Sequence, residues 1–207
     1  KNSKRLTHIS LSSFILPVLF LAIAGVLTQF VFSPLIFGEP NEASQWAKEI
    51  FGLFILFGSV ITVIFLWIHF FEGRRVFTLG FTKEGAIKKY LSGFGIGILM
   101  NSAVVGLMAI FGTIEIADES TNIIGINALG IVLFFLLGFI VQGASEEILS
   151  RGWMMQVIGA RYKPWIGVLI STIFFALVHL GNAGVNLPSV INLILVALLL
   201  CLFVMNE

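Results

Sequence analysis

Six long apolar runs, separated by short polar connectors, constrain the fold of this chain more than any other feature of its sequence. They cover roughly residues 10–37, 47–71, 90–113, 123–150, 164–182 and 187–206. A helix of about 20 apolar residues crosses the hydrocarbon core of a bilayer, and a spanning segment must satisfy its backbone polar groups internally. The sequence therefore predicts an all-α polytopic transmembrane helix bundle of about six spans, forming a single transmembrane domain over residues 1–207.

The composition excludes several other classes of protein. Only 11% of the residues are charged and 58% are hydrophobic, whereas soluble domains carry about 25% charged residues. The formal net charge is +1, and no basic stripe of the kind that binds nucleic acid is present. The single cysteine, Cys201, lies in an apolar run and cannot form an internal disulfide. We expect the lipid bilayer as a partner and no nucleic acid.

The charges of the connectors predict an orientation. Basic residues dominate the N-terminal tail, the connector after the second run and the turn at Arg161 and Lys163. Acidic residues dominate the two alternate connectors, which contain Glu42 and Glu119. Basic connectors remain on the cytoplasmic side of membranes. We therefore expect a cytoplasmic N-terminus.

Residues 72–90, in the second connector, mix basic residues with apolar ones such as Phe77 and Leu79. Two structures fit this pattern equally well. One is a short amphipathic segment lying on the cytoplasmic interface, and the other is a solvated connector with incidental apolar residues. The sequence does not choose between them.

A charged cluster ends the fourth apolar run, in the sequence Ser-Glu-Glu-Ile-Leu-Ser-Arg over residues 145–151. Each charge costs about 2.5–3.5 kcal/mol at the centre of a membrane helix, so such a cluster is expected to face a protein interior or a water-filled cavity. Glu147 precedes Arg151 by four residues, the favoured order for an ion pair on a helix. Glu146, about 100° further round the helix, is left without a local cation.

A histidine lies in the fifth apolar run. His179 is followed three residues later by Asn182, so on a continuous helix both share one face. The basic turn at residues 161–164 is midway between Glu146 and His179, which predicts two antiparallel helices. At a 1.5 Å rise, about 16 residues place both side chains about 24 Å from the turn. The two residues are therefore expected at the same height, provided that the helix before Arg161 is long.

This pair of residues suits hydrolysis. A carboxylate beside an imidazole in an apolar pocket can activate a water as a general base. Gln142 lies one turn before Glu146 and could line the same pocket. We expect Gln142 to be a packing residue rather than part of the site.

Two motifs resemble those of a known family. Glu146-Glu147-x-x-x-Arg151 resembles its EExxxR motif and Phe175-x-x-x-His179 its FxxxH motif. The family is that of the CPBP intramembrane proteases (CAAX proteases and bacteriocin-processing proteases, also called the Abi family). Both motifs lie in residues 123–182, the motif-bearing core of the chain.

The resemblance implies an integral protein of the bacterial plasma membrane that hydrolyses a peptide bond inside the bilayer. Its substrate would be a membrane protein or a membrane-associated peptide, such as a prenylated protein or a leader peptide. Glu146 and His179 would activate the water. Glu147 and Arg151, with Asn182, would support the site.

The sequence departs from the family in one respect. The family has a later motif with a second histidine followed by asparagine or aspartate, and no histidine follows His179 here. We expect either that a C-terminal part is missing or that the protein is a divergent, inactive member. No cofactor is assigned. A divalent metal such as zinc, with Glu146 and His179 as its ligands, stays open.

Two other functions remain at this point. The first is a non-catalytic protein of the same fold, such as a bacteriocin self-immunity factor or a scaffold. The second is a small proton-coupled carrier that uses Glu146 in a relay. A carrier would be expected to show inverted repeats, and none is visible in the sequence.

Cysteine labelling tests the predicted orientation. An impermeant thiol reagent added to intact cells should modify Glu42→Cys in an acidic connector and leave Lys163→Cys in the basic turn unmodified. The wild-type protein, whose single cysteine lies in an apolar run, is the unlabelled control. Modification of both positions from the same side would contradict the orientation.

Overall fold

The computed structural model of the protein describes residues 6–8, 10–32, 45–81, 83–114 and 125–206. Every regular element within these residues is a helix, and five of the helices are long and apolar enough to cross a membrane. The prediction of an all-α polytopic transmembrane bundle is therefore confirmed.

Eight of the charged residues used to predict the orientation lie outside the described part of the chain. These are Lys1, Lys4, Arg5, Glu39, Glu42, Glu115, Asp118 and Glu119. The cytoplasmic N-terminus therefore stays a prediction.

In the part of the chain that the structure describes, six helical elements, α1 to α6, follow one another. Four segments have π-helical geometry: Leu11–Ile15, Leu27–Phe32, Trp67–Phe71 and Ile148–Met155. With these included, the elements are α1 (Leu11–Ile15, Leu16–Val26 and Leu27–Phe32), α2 (Gln45–Leu66 and Trp67–Phe71), α3 (Ala86–Ile110), α4 (Ile126–Glu147, Ile148–Met155 and Gln156–Arg161), α5 (Pro164–Val178) and α6 (Leu187–Met205). A short 3-10 helix, Val76–Leu79, follows α2.

The chain divides into two compact units. One consists of Lys1–Leu79 and Ile131–Glu207, and the other of Gly80–Gly130. The single domain predicted over residues 1–207 stays a prediction, as does its motif-bearing core at residues 123–182.

The second unit contains α3. The helix ends at a glycine, Gly112, whose φ of 65° is the left-handed conformation favoured after a helix. The Thr113 N–H donates to the Met108 carbonyl and the Gly112 N–H donates to the Ala109 carbonyl, so two terminal carbonyls are satisfied. The helix therefore occupies residues 86–110 rather than the predicted 90–113.

In the first unit α4 is longer than predicted. Its membrane-compatible part alone runs from Ala128 to Arg161, 34 residues, whereas the apolar run was expected to end near residue 150. At 1.5 Å per residue this part is about 51 Å long, against about 30 Å for the hydrocarbon core. The long helix required before the turn is therefore present, and residues 145–151 lie well inside it.

Helix α5 is shorter than predicted, and the expectation of a full span over residues 164–182 is wrong. Only Pro164–Val178, 15 residues, is helical, about 22 Å at the helical rise. Pro164 begins the helix, where its missing N–H costs nothing. After Val178 the backbone continues in turns, with the Asn182 N–H donating to the His179 carbonyl. His179 therefore lies just beyond the helix end.

Helices α4 and α5 are antiparallel and cross closely at two glycines. A Cβ atom at Gly167 would overlap the Met155 carbonyl oxygen and lie 3.2 Å from the Gly159 Cα. Residues 159 and 167 are equally distant from residue 163 in the turn, as an antiparallel pair requires. The predicted antiparallel arrangement is confirmed.

The hydrophobic core joins α1, α2, α4 and α5 around one tryptophan. Trp153 is fully buried, and the Phe20 ring centroid lies 5.4 Å from its own. The fully or nearly fully buried apolar side chains around it include Phe20, Val60, Ile64, Ile68, Ile158 and Phe174. The core therefore surrounds the π-helical segment of α4, which overlaps the end of the charged cluster.

A buried carboxylate, which the sequence analysis did not identify, ties three parts of this unit together. Glu72 is 3% exposed. Its Oε1 accepts hydrogen bonds from Thr7 Oγ1 (2.6 Å) and Trp153 Nε1 (3.1 Å), and its Oε2 lies 2.9 Å from Arg74 Nε. Thr7 Oγ1 also accepts a bond from Trp67 Nε1 at 3.1 Å. The N-terminal tail, the end of α2 and the middle of α4 are thus connected by one polar network.

The start of the second connector is a short 3-10 helix rather than a fully solvated loop, and its position at the membrane interface stays a prediction. Leu79, at the end of the 3-10 helix, is 6% exposed. Its carbonyl oxygen would lie 3.1 Å from a Cβ atom at Gly152. Phe77 points outward and is 62% exposed. Up to Leu79 the connector therefore packs on α4.

A glycine-to-alanine pair tests the crossing of α4 and α5. Gly167→Ala should lower the free energy of unfolding by about 1–3 kcal/mol, because the new methyl group meets backbone atoms that cannot move aside. Gly52→Ala is the matched control, since nothing lies within 4 Å of its Cβ position in α2, and it should be neutral or stabilising by up to about 1 kcal/mol. Unfolding in detergent, followed by circular dichroism, gives the comparison. Equal stability of the two variants would contradict the close crossing.

Candidate active site

A cavity of about 230 Å³ lies among α1, α2, α4 and α5. Its apolar lining includes Leu21, Leu56 and Phe57 from the first two helices. Its polar lining consists of Gln142, Ser145, Glu146, Ser150, His179 and Asn182. Glu146, His179 and Asn182, all selected from the sequence, are therefore brought together in one cavity.

The carboxylate of Glu146 has a neutral partner. Gln142 Nε2, one helical turn earlier, donates a hydrogen bond of 3.0 Å to Glu146 Oε1. The expectation that Gln142 is a packing residue is therefore wrong. No cation pairs with Glu146 among the residues that the structure describes.

The imidazole of His179 is fixed by the residue one turn before it. Nδ1 lies 2.7 Å from the Phe175 carbonyl oxygen. A carbonyl oxygen can only accept, so Nδ1 carries the hydrogen, and Nε2 of the neutral ring is an acceptor. The Phe175 ring centroid lies 4.5 Å from that of His179. The backbone thus selects the tautomer whose basic nitrogen is Nε2.

Asn182 lines the cavity from a turn and not from the helical face that the sequence predicted. It does not share a helical face with His179, because the helix has already ended at Val178. Its N–H donates to the His179 carbonyl over 3.1 Å, and this turn carries its side chain to the cavity wall. The two residues therefore come from the same turn.

Arg151 holds three helices at one point. Its Nη1 lies 2.9 Å from Glu147 Oε1, so the predicted ion pair is present. Its Nη2 donates to the Ala197 carbonyl of α6 at 3.2 Å, and its Cζ lies 4.5 Å from the centroid of the Phe175 ring of α5. The residue is 1% exposed. The guanidinium therefore contacts an anion, a carbonyl and an aromatic face, each on a different helix.

The side chains that the structure describes do not make a zinc site. Catalytic zinc is held by three protein ligands, and the described residues contain no group of three His, Cys, Asp or Glu side chains placed to hold a metal. In the cavity the two donors are Glu146 and His179, since Glu147 is engaged by Arg151. We therefore derive no step of the chemistry through a metal.

The fold and the cavity define a polytopic membrane protein whose polar site lies between its helices. Residues 128–207 match the family model described as type II CAAX prenyl endopeptidase Rce1-like. The matched part of the chain carries both motifs, and the resemblance to the CPBP proteases is confirmed. No curated protein and no solved structure matches the chain.

The family match covers only one side of the cavity. Glu146, His179 and Asn182 lie within residues 128–207, whereas Leu21 and Leu56 lie outside them. Apart from hydropathy, nothing in the sequence predicted that residues of α1 and α2 would form the apolar wall of the cavity. The cavity is therefore built from matched and unmatched parts of the chain together.

Replacement of Arg151 tests its structural role. Arg151→Ala should destabilise the protein, because it leaves Glu147 and the Ala197 carbonyl without their partner. Loss of one member of a fully buried pair costs about 3–5 kcal/mol. The cost here should be lower, since 39% of the Glu147 side chain is exposed.

Arg161→Ala is the matched control, because Arg161 lies at the exposed end of the same helix. Arg151→Lys should recover only part of the stability, since an ammonium cannot reproduce the planar fork of donors. Folded yield and melting temperature in detergent are the measurements. Wild-type values for Arg151→Ala would show that the contacts of Arg151 are not needed for stability.

Proposed function

We propose that this protein is an intramembrane endopeptidase that cleaves a peptide bond of a membrane-associated substrate, with Glu146 and His179 as its catalytic residues. The observation that carries the proposal is the shared cavity, which is lined both by a carboxylate that accepts from an amide and by a histidine whose Nδ1 donates to a backbone carbonyl. Within the family match, the narrower substrate class is a prenylated protein or peptide with a CAAX terminus. The leader peptide of a bacteriocin is the other class implied by the motifs.

In the proposed reaction Glu146 is the general base. A water held by its free oxygen and by His179 Nε2 attacks the carbonyl carbon of the scissile bond, and its proton passes to Glu146. Breakdown of the tetrahedral intermediate breaks the C–N bond, and Glu146 returns the proton to the leaving amine. The carboxylate is thereby regenerated. A positioned general base typically contributes about 10²–10⁴-fold to the rate.

His179 acts in this scheme as a neutral acceptor. Because Nδ1–H donates to the Phe175 carbonyl, Nε2 can receive a hydrogen bond from the water and set its direction of attack. Asn182 lines the same cavity, and its amide N–H groups are donors. We assign to Asn182 a supporting contact with the carbonyl oxygen of the substrate as negative charge develops on it.

The apolar wall of the cavity fits a substrate that lies in the membrane. Leu21, Leu56 and Phe57 face the polar groups across the same space. A peptide that approaches Glu146 would place aliphatic side chains or an isoprenoid against them, and burial of apolar surface contributes about 25 cal/mol per Å². These contacts support a substrate with apolar groups beside the scissile bond.

Substitution of the two catalytic residues tests the proposal. Glu146→Gln keeps the shape of the side chain and removes the base, so cleavage of a fluorescence-quenched farnesylated CAAX peptide should fall at least about 100-fold. His179→Ala should have a similar effect, and the double variant should lose little more, because the two residues act on one water. Expression and melting temperature should stay close to those of the wild type.

Glu49→Gln and His69→Ala, which change exposed residues of α2, are the matched controls and should retain activity. The same peptide without its farnesyl group shows whether the isoprenoid is recognised. A folded Glu146→Gln protein that cleaves the peptide at the wild-type rate would refute the assignment. No cleavage of any membrane peptide by the folded wild type would instead favour the non-catalytic self-immunity or scaffold function.

A further inference from the structure

The Glu146 carboxylate is oriented by a single neutral donor. Gln142 Nε2 donates to Glu146 Oε1 over 3.0 Å, and both side chains line the cavity. An ionised carboxylate only accepts hydrogen bonds, so the amide nitrogen must be the group that faces it. Gln142 is the only hydrogen-bond donor to this carboxylate among the residues that the structure describes.

Orientation matters for a base on a flexible side chain. A glutamate has several rotamers, and a general base works only within about 2.6–3.2 Å of the proton that it removes. Glu146 is half-buried beside an open cavity, so close packing does not select one rotamer. The bond at Oε1 does so, because it fixes one carboxylate oxygen and thereby the direction of the other.

The neutrality of the donor also matters. Hydrogen bonds from a cation to a carboxylate are about twice as strong as those between neutral groups. The adjacent Glu147 has such a cationic partner, Arg151, at 2.9 Å. An amide orients a carboxylate without supplying a positive charge that favours its ionised form. Glu146 is therefore held in place while Oε2 stays available to a water.

We infer that Gln142 is a positioning residue for the hydrolytic reaction, holding Glu146 so that Oε2 is directed at the water. The inference rests on the proposed function, because it gives Gln142 a role only if Glu146 is the base. Gln142 lies outside both motifs that identify the family resemblance. It exchanges no proton and forms no covalent bond in the reaction.

Two glutamine-to-leucine variants provide the test. Gln142→Leu removes the donor and keeps the approximate size of the side chain. It should lower kcat for the farnesylated CAAX peptide by roughly 10- to 100-fold, since misplacement of a catalytic group by about 1 Å costs up to about 100-fold. KM should change less than about twofold, because the substrate does not contact Gln142 in this scheme. Gln156→Leu, on the same helix and lining a separate groove, should retain the wild-type kcat.

A second variant covers the case in which Gln142→Leu does not fold. Gln142→Glu keeps the shape, replaces the donor with an acceptor and places a like charge beside Glu146, so kcat should again fall at least about tenfold. A double-mutant cycle adds a readout that a merely structural residue would not move. In a Glu146→Gln background, Gln142→Leu should cause no further loss of residual activity, because there is no base left to orient.

The outcomes separate this inference from the proposed function. An unchanged kcat in folded Gln142→Leu, with Glu146→Gln inactive, would overturn the role of Gln142 and leave Glu146 as the base. Wild-type activity in folded Glu146→Gln would contradict both the role of Gln142 and the assignment of Glu146 as the base. The positioning role would also be overturned if Gln142→Leu changed KM alone, or if Gln156→Leu lowered kcat by the same factor.

Discussion

The arrangement of the site depends on one buried cation. Arg151 is 1% exposed, and an unpaired charge among membrane helices would be costly. Its cost is offset by three groups on three helices: the Glu147 carboxylate, the Phe175 ring and the Ala197 carbonyl. Each contact constrains the distance of one helix from the guanidinium. The end of α5 and the middle of α6 are thereby held beside the part of α4 that carries both glutamates.

Phe175 connects Arg151 to the imidazole of His179. Its ring lies 4.5 Å from Arg151 Cζ and 4.5 Å from the His179 ring, and its carbonyl accepts the Nδ1 hydrogen bond. Four residues of the two sequence motifs therefore form one contiguous network: Glu147, Arg151, Phe175 and His179. Because His179 follows the last helical residue, the regular helix does not constrain its ring. The carbonyl and the ring of Phe175 hold it instead.

The parts of this site that the sequence predicted are those set by the regular geometry of helices. A fixed rise of 1.5 Å and a repeat of 3.6 residues relate Glu147 to Arg151, and they place Glu146 and His179 equally far from the turn. The unpredicted parts depend on tertiary contacts. No periodic pattern in the sequence predicts that α5 ends at Val178 or that Ile148–Met155 is π-helical. Glu72 meets Thr7 and Trp153 across 65 and 81 residues of chain, so no local pattern marks that network.

Two adjacent glutamates with different partners explain how one short segment can serve both structure and chemistry. Glu147 and Glu146 differ in direction by about 100° on the helix, so they face different neighbours. Glu147 meets a guanidinium, which fixes it as a structural anion, whereas Glu146 meets the amide of Gln142. In many active sites two carboxyl groups have different roles because their surroundings differ. The local helical geometry, rather than the identity of either residue, therefore decides which glutamate pairs with Arg151 and which is bound by Gln142 at the cavity.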